Sequence, residues 1–411
     1  MKQENLKDMK EHAITLIALV VTIVILLILS GVTINMLLGE DGIIRMAKEA
    51  KNTWEGAVTN EQEDLKNLMN ELNSIMSNNS EAGGGDIPEE PEDPTKGPNG
   101  KPLVETITEI QTENNVEAED KYGNPVVVPK GFKVVVDETT NNATTVPEGI
   151  VIEDAKGNQF VWIPTGIYKV DESGTTKTND LTRRQWGTNS DIVKDPMPIA
   201  GDAVASDYVG AYFFGEGDSR SIAHNTIGNF LNSAKPVSEG GHGGFYIGRY
   251  EQGEGNVCKS GVNAYADVTR DQAKAQAEAM YTDKKQYGVT SQLISSYAWD
   301  TALNFICQNS EHGYTLATTT NNTYGNLRTD SKELTGANGA DNYSNIHEFL
   351  GNCSEWTTEY SSYTSGSGAA SVCVSRGGDY VSITPNNAAS RNTSRTDTSI
   401  IYISFRLSLY V

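Results

Sequence analysis

Hydrophobic and polar positions follow three different rhythms along this chain, and each predicts a different kind of element. From Ala13 to Leu38 there are 26 consecutive residues without a formal charge, most of them Ile, Leu or Val. About 20 apolar residues, each rising ~1.5 Å, cross the hydrocarbon of a bilayer, so this run predicts a transmembrane helix. It is longer than a signal-peptide core and has no small-x-small cleavage site behind it. A helical period continues through Ile44, Ala47, Ala50 and Trp54, then Leu65, Leu68 and Leu72. One helix from Ile14 to Met76 would be roughly 90 Å long, apolar below and amphipathic above, with Gly39 and Gly42 at a kink.

The second rhythm is the absence of one. Asn78 to Pro102 is a run of Gly, Pro and acidic residues with no apolar face, and reads as a solvated spacer. The third is a succession of short apolar runs bounded by Gly or Pro. Val126–Val128, Phe132–Val136, Ile150–Glu153, Phe160–Ile163, Phe245–Tyr250 and Val372–Ser375 are predicted strands. At the end of the chain Ile401, Ile403, Phe405, Leu407 and Leu409 alternate with polar or aromatic residues, the period of a half-buried strand. Two helices stand out: Thr269-x-x-Gln272 is a capping box ahead of Ala273, Ala277 and Met280, and Trp299, Leu303 and Ile306 share one helical face. The fold class is α+β: a long N-terminal transmembrane helix, then an irregular, loop-rich domain.

Charge narrows the partners. Lys and Arg number 32 against 54 Asp and Glu, a net −22, and the basic residues are scattered, which argues against a nucleic-acid partner. Of the five histidines none forms an H-E-x-x-H pattern, because His347-Glu348 is followed by Phe-Leu-Gly, so no metal ligands or cofactor are assigned. Gly240–Gly244 leads into a predicted strand with no Gly-Lys-Ser or Gly-Lys-Thr after it, and reads as a turn, not a phosphate cradle. Cys258, Cys307, Cys353 and Cys373 could form two disulfides by three connectivities or remain buried thiols.

Two resemblances attach to these residues. The charged leader, a small residue and then ITLIALVVTIVILLILSGVTI resemble the methylation segment of type IV pilins and pseudopilins. That implies a prepilin peptidase cutting after Ala13, with Ile14 as the new terminus, and other pilin-like subunits as partners. Ala13 stands where Gly is usual, and Ala18 where pilins commonly carry the Glu used in assembly. A plain single-pass anchor is the alternative. Further on, GNQFVWIPTG (157–166), GGFYIGRYE (243–251), LGNCSEWTTEY (350–360), SRGGDY (375–380) and ISFRLSL (403–409) resemble the successive signatures of the formylglycine-generating-enzyme and sulfatase-modifying domain, although the run around Trp299 is divergent. The resemblance implies a C-type-lectin-like fold. Gly351, Asn352, Glu355, Trp356, Arg376, Gly377, Gly378, Phe405 and Arg406 then read as framework: tight turns, a core Trp, and a buried Glu355 held by hydrogen bonds or by an Arg such as Arg376 or Arg406.

The enzymes of that family use a thiol pair shortly after the Arg-Gly-Gly motif, and this chain has no cysteine after Cys373. The chain is therefore read as a binding protein with no catalytic residues, the family's oxidoreductase activity or a structural minor pilin without a ligand being the alternatives. From Asp379 to Ser404 the 26 residues include five Ser, four Thr and three Asn but no Lys, Glu, Gln, Met or Trp. Those five types are the ones an AAY codon cannot reach when its adenines are randomised. The composition resembles the variable region of diversity-generating-retroelement target proteins, and an ordinary polar β-rich terminus is the alternative. The resemblance implies a ligand-binding face from Asp379, Tyr380, Val381, Ser382, Thr384, Asn386, Asn387, Thr393, Ser394, Thr396, Asp397, Thr398, Ile400 and Tyr402, a set of side chains suited to adaptable contacts. The organisation expected is a leader (1–13), a pilin-like helix (14–77), an acidic Gly/Pro linker (78–102) and a C-type-lectin-like ligand-binding domain (103–411, variable region 379–404). Such a chain would sit in the bacterial cell membrane and present an adhesin-like ectodomain to an extracellular protein or glycan.

Overall fold

The structure is a computed structural model and describes residues 93–187, 193–196, 208–209, 213–216, 227–327, 329, 331–361, 372–381 and 387–411. The leader, the expected transmembrane and amphipathic helix and most of the spacer lie outside them. Among the described residues no helix is long and apolar enough to cross a membrane. These residues form a mixed α/β assembly in which sheets dominate and long irregular connections join them.

The main sheet has six antiparallel strands in the order β13 (Thr290–Leu293), β18 (Leu407–Tyr410), β12 (Gly244–Gly248), β5 (Gln159–Pro164), β4 (Val151–Asp154) and β3 (Phe132–Val135). The second sheet runs β11 (Phe213–Glu216), β14 (Ser354–Ser361), β15 (Val372–Arg376) and β16 (Arg391–Arg395), with β17 (Ile403–Phe405) pairing parallel to β14. Smaller ladders are β1 (Val116–Glu119) with β2 (Pro125–Val128), β6 (Gly166–Lys169) with β7 (Thr176–Asn179), and β8 (Arg184–Gly187) between β9 (Val193–Pro196) and β10 (Tyr208–Val209). Strands predicted from bounded apolar runs all occur, within a residue or two of their expected ends.

The chain end departs from expectation. A single half-buried strand was predicted from the alternation of Ile401 to Leu409, but the chain breaks at Arg406 into β17 and β18, which belong to different sheets. Both faces are covered, so Ser404 and Ser408 are as buried as Phe405 and Leu407. Arg406 causes the break. Its guanidinium donates to Glu355 on β14 and to the Gly248 carbonyl at the end of β12, tying the two sheets together.

Among the described residues four helices pack around the sheets: α1 (Gly228–Ala234), α2 (Arg270–Ala279), α3 (Ser296–Asn309) and α4 (Thr315–Thr318). The capping box of α2 forms as predicted, Thr269 Oγ1 accepting from the Gln272 amide while Gln272 Oε1 accepts from the Thr269 amide. Ser295 caps α3 through the Ala298 amide. That helix is buried from Ala298 to Cys307, so its polar side chains, Asp300 above all, have to find partners inside the protein. Trp162, Trp299 and Trp356 are fully buried, each worth roughly 4–6 kcal/mol of apolar transfer as an upper bound. The four cysteines are free and buried.

Candidate functional site

The segment 379–404 rests on a frame of buried ions. Asp300 of α3 accepts 2.6 Å from Arg376 Nη2, accepts from Arg391 Nη2, and accepts 2.9 Å from the Arg184 amide. Arg391 Nε also donates 3.0 Å to Glu359 of β14, whose other oxygen lies 3.6 Å from Arg183 Nη1. All five of these side chains are essentially inaccessible. Burial alone would raise the Asp300 carboxyl, yet the flanking Arg376 and Arg391 guanidiniums hold it down at about 2. Trp299 locks this frame from the side. Arg376 lies over its ring at 5.5 Å, its Nε1 donates to the Ala388 carbonyl, and Phe349 stacks on it at 4.1 Å.

A second clamp holds the turn before β14. Glu355 receives Arg406 Nε and Nη2 at 2.7–3.1 Å, and Arg406 Nη2 also donates to the His347 carbonyl. Of the two partners considered for Glu355, Arg406 holds it and Arg376 goes to Asp300. Gly351 has φ +128°, and a Cβ there would lie 2.6 Å from the Asn326 backbone, so glycine is required. Asn352 follows in the left-handed region at φ 62°. Its side chain donates to Glu251 and accepts from Asn326 and the Glu333 amide, while its carbonyl accepts from the Tyr380 amide. Trp356 is buried with Nε1 on the Val268 carbonyl. Gly377 has φ +80° with Trp299 3.4 Å from where its Cβ would be; Phe405 is core.

The residues expected on the binding face divide. Val381 is 39% exposed, Asp397 and Thr398 are exposed in the turn after β16, and Ser394, Thr396, Tyr380, Ile400 and Tyr402 are half-buried. Asp379 and Asn387 are buried, contrary to a solvent-facing role. Asp379 accepts from the Val381 amide, and Asn387 donates to the Thr318 carbonyl and exchanges bonds with Ser390. Ser382, Thr384 and Asn386 lie outside the described residues, as does the Thr393 side chain. Ile401, missed by the sequence reading, is 61% exposed. The Tyr402 carbonyl accepts from the Ser354 amide just as the Asn352 carbonyl accepts from that of Tyr380, so Val381 and Ile401 each sit one residue from an anchor on Asn352–Ser354.

A further cluster went unassigned in the sequence. Asp341, at the end of the 3-10 turn Gly339–Asp341, lies with His347 and Glu348 so that one potential ligand atom from each falls within 4.8 Å of the others. His347 Nδ1 is 3.7 Å from Asp341 Oδ1. Burial raises Asp341 to about 7, offset in part by the Glu348 amide and reinforced by the charge of Glu333. Burial and the neighbouring Asp341 raise Glu348 to about 8, and burial takes His347 down to about 4. His347-Glu348 was set aside in the sequence for lack of an H-E-x-x-H pattern. The third member comes from a turn six residues upstream, a spacing with no helical or strand logic.

No family model and no curated protein matches the chain. Solved structures similar to it include CarF, 14% identical over 56% of this chain and 97% of that one, with a TM-score of 0.31. PvdO from Pseudomonas aeruginosa is 13% identical over 64% of this chain and 98% of that one, with a TM-score of 0.33. Treponema denticola variable protein 1 is 12% identical over 62% of this chain and 96% of that one, with a TM-score of 0.30.

Proposed function

We propose that the chain is a bacterial surface protein that recognises an extracellular ligand, protein or glycan, without turning it over. A pilin-like helix anchors it, the acidic spacer lifts it, and a C-type-lectin-like ectodomain presents a face built from the segment 379–404, diversified by adenine-directed mutagenesis. One observation carries the reading: this segment combines a rigid, ion-paired underside with an outward side rich in small polar and apolar groups. Val381 and Ile401 are two of the five large apolar side chains that stand well exposed among the described residues, and exposed apolar groups on a fixed base are what contact surfaces use. All four cysteines are buried, and burial raises Cys258 to about 11 and Cys373 to about 12, so these thiols are held in their protonated, less nucleophilic form.

Deep sequencing of the gene's 3′ end in a natural population, with its flanking DNA, tests the reading. Substitutions confined to adenines between the codons for Val374 and Arg406, beside a near-identical template repeat and a reverse transcriptase gene, are expected. An invariant 3′ end would refute diversification and leave a receptor of fixed specificity. In parallel, the full chain in detergent is screened against surface proteins and glycans. Binding that survives simultaneous Val381→Asp and Ile401→Asp would place the face elsewhere.

A further inference from the structure

We propose that Asp341, His347 and Glu348 form a binding site for a first-row divalent metal ion of the zinc type, with one imidazole nitrogen and at least two carboxylate oxygens as protein ligands. The three side chains are inside the protein, Asp341 fully and the others nearly so. Among the described residues, neither oxygen of Asp341, nor His347 Nδ1, nor Glu348 Oε2 has a hydrogen bond of normal geometry, although the Glu348 amide lies close enough to the Asp341 carboxylate to favour its charged form. Buried polar atoms are almost always satisfied, and three side chains that carry unsatisfied atoms and bring one ligand atom each within 4.8 Å of the others mark a place made for something with positive charge. Zinc–ligand bonds of ~2.0–2.2 Å put neighbouring ligand atoms roughly 3–3.5 Å apart, so the His347–Asp341 pair at 3.7 Å is nearly there and separations of up to 4.8 Å would close by at most about 1.8 Å.

The surroundings hold the ligands in place. The His347 ring stacks on Tyr250 at 5.0 Å and 26°, its amide donates to the Arg249 carbonyl, and its own carbonyl accepts from Arg406. Glu348 uses its other oxygen to accept from the Gly336 amide, which fixes the carboxylate and leaves Oε2 without a protein partner. Such outer contacts are the usual support of metal ligands. The donor set selects the ion: an imidazole favours zinc, cobalt or iron over magnesium and calcium, and two carboxylates neutralise a dication in a dry site. The ion would fasten the loop from Gly336 to Asn352, whose last residue carries Tyr380 and hence the start of the candidate face. The site does not depend on what that face binds.

The test uses the full chain, purified in detergent without a histidine tag, stripped with a chelator and titrated with Co²⁺ and then Zn²⁺. One Co²⁺ per chain is expected, with visible ligand-field absorption that Zn²⁺ abolishes. Asp341→Asn and His347→Gln should each weaken binding at least about 100-fold. Glu348→Gln keeps the acceptor for the Gly336 amide and should fold normally while losing affinity, which guards against variants that fail to fold. The proposal is overturned by absence of saturable Co²⁺ or Zn²⁺ binding, by full binding in an Asp341→Asn, His347→Gln double variant, or by Ca²⁺ displacing Co²⁺ at equal concentration.

Discussion

Replacing Asp300 by Asn removes one negative charge from between two guanidiniums while keeping the side chain's shape. The carboxyl falls from 3.8 to about 2 on folding, which corresponds to roughly 2–3 kcal/mol favouring the ionised, folded form. The amide also leaves Arg376 and Arg391 buried beside each other with Glu359 as the remaining nearby acid, and a broken buried pair costs about 3–5 kcal/mol. The expected loss at neutral pH is therefore about 2–4 kcal/mol. Because the folded value lies below the unfolded one, the contribution of Asp300 is complete above pH ~4 and fades as the pH falls toward ~2. Denaturant titrations of wild type and Asp300→Asn from pH 7 to pH 2 should therefore converge at the acid end. A difference under ~1 kcal/mol at pH 7, or one that stays constant to pH 2, would refute the frame as the support of the C-terminal segment.

Three further outcomes follow from the geometry. Gly351→Ala puts a methyl against the Asn326 backbone at positive φ and should cost at least about 2 kcal/mol in chemical denaturation, whereas an Ala at Gly377, where the nearest contact is 3.4 Å, should cost less. Val381→Ser, Thr398→Ser and Ile401→Ser should each leave stability within about 0.5 kcal/mol of wild type, and a larger change at any of them would mean that the side chain is packed. Native protein should react with no more than a trace of a thiol-specific maleimide, and all four cysteines should label without a reductant once the protein is unfolded; a thiol that labels in the native state would reopen thiol chemistry.

Local signals in the sequence reached far into the fold. Short apolar runs bounded by Gly or Pro located strands because those boundaries are enforced by backbone sterics, and the capping box before Arg270 formed because its bonds are local. The alternation at the chain end misled for a tertiary reason. Period two reports that side chains point to opposite faces, and it cannot report that both faces will be covered or that Arg406 will divide one run between two sheets. Glu355 could be recognised as a buried acid, but its partner could not, since Arg376 and Arg406 are equally plausible until Asp300 is known to take the former. Asp300 was hidden because it lies on a helix otherwise read by its apolar face. Asp341, His347 and Glu348 were hidden because a turn, not a repeat, brings them together.

The frame also limits how the segment 379–404 can vary. Asp379, Asn387, Ser390 and Arg391 turn inward: Asp379 and Ser390 fix the segment's own turns at Val381 and Asn387, while Asn387 and Arg391 bond to Thr318, Glu359 and Asp300 of the scaffold. Losing one of those groups strands a buried partner at a cost of about 1–3 kcal/mol, and more where the partner is a charge. Ser394, Thr396, Asp397, Thr398 and Ile401 carry no such obligation to the frame: the bonds that fix this stretch run through backbone, as in Thr398 to Arg395 and Ser354 to Tyr402. The Arg395–Asp397 pair is solvent-exposed and adds little. A position held by its own backbone accepts many side chains at nearly constant stability, and a position held by its side chain accepts few. Diversification, if it acts here, should therefore leave its marks on the turn after β16 and on Val381 while Asp379 and Asn387 stay fixed, and extensive natural variation at those two buried positions would refute this division of the segment.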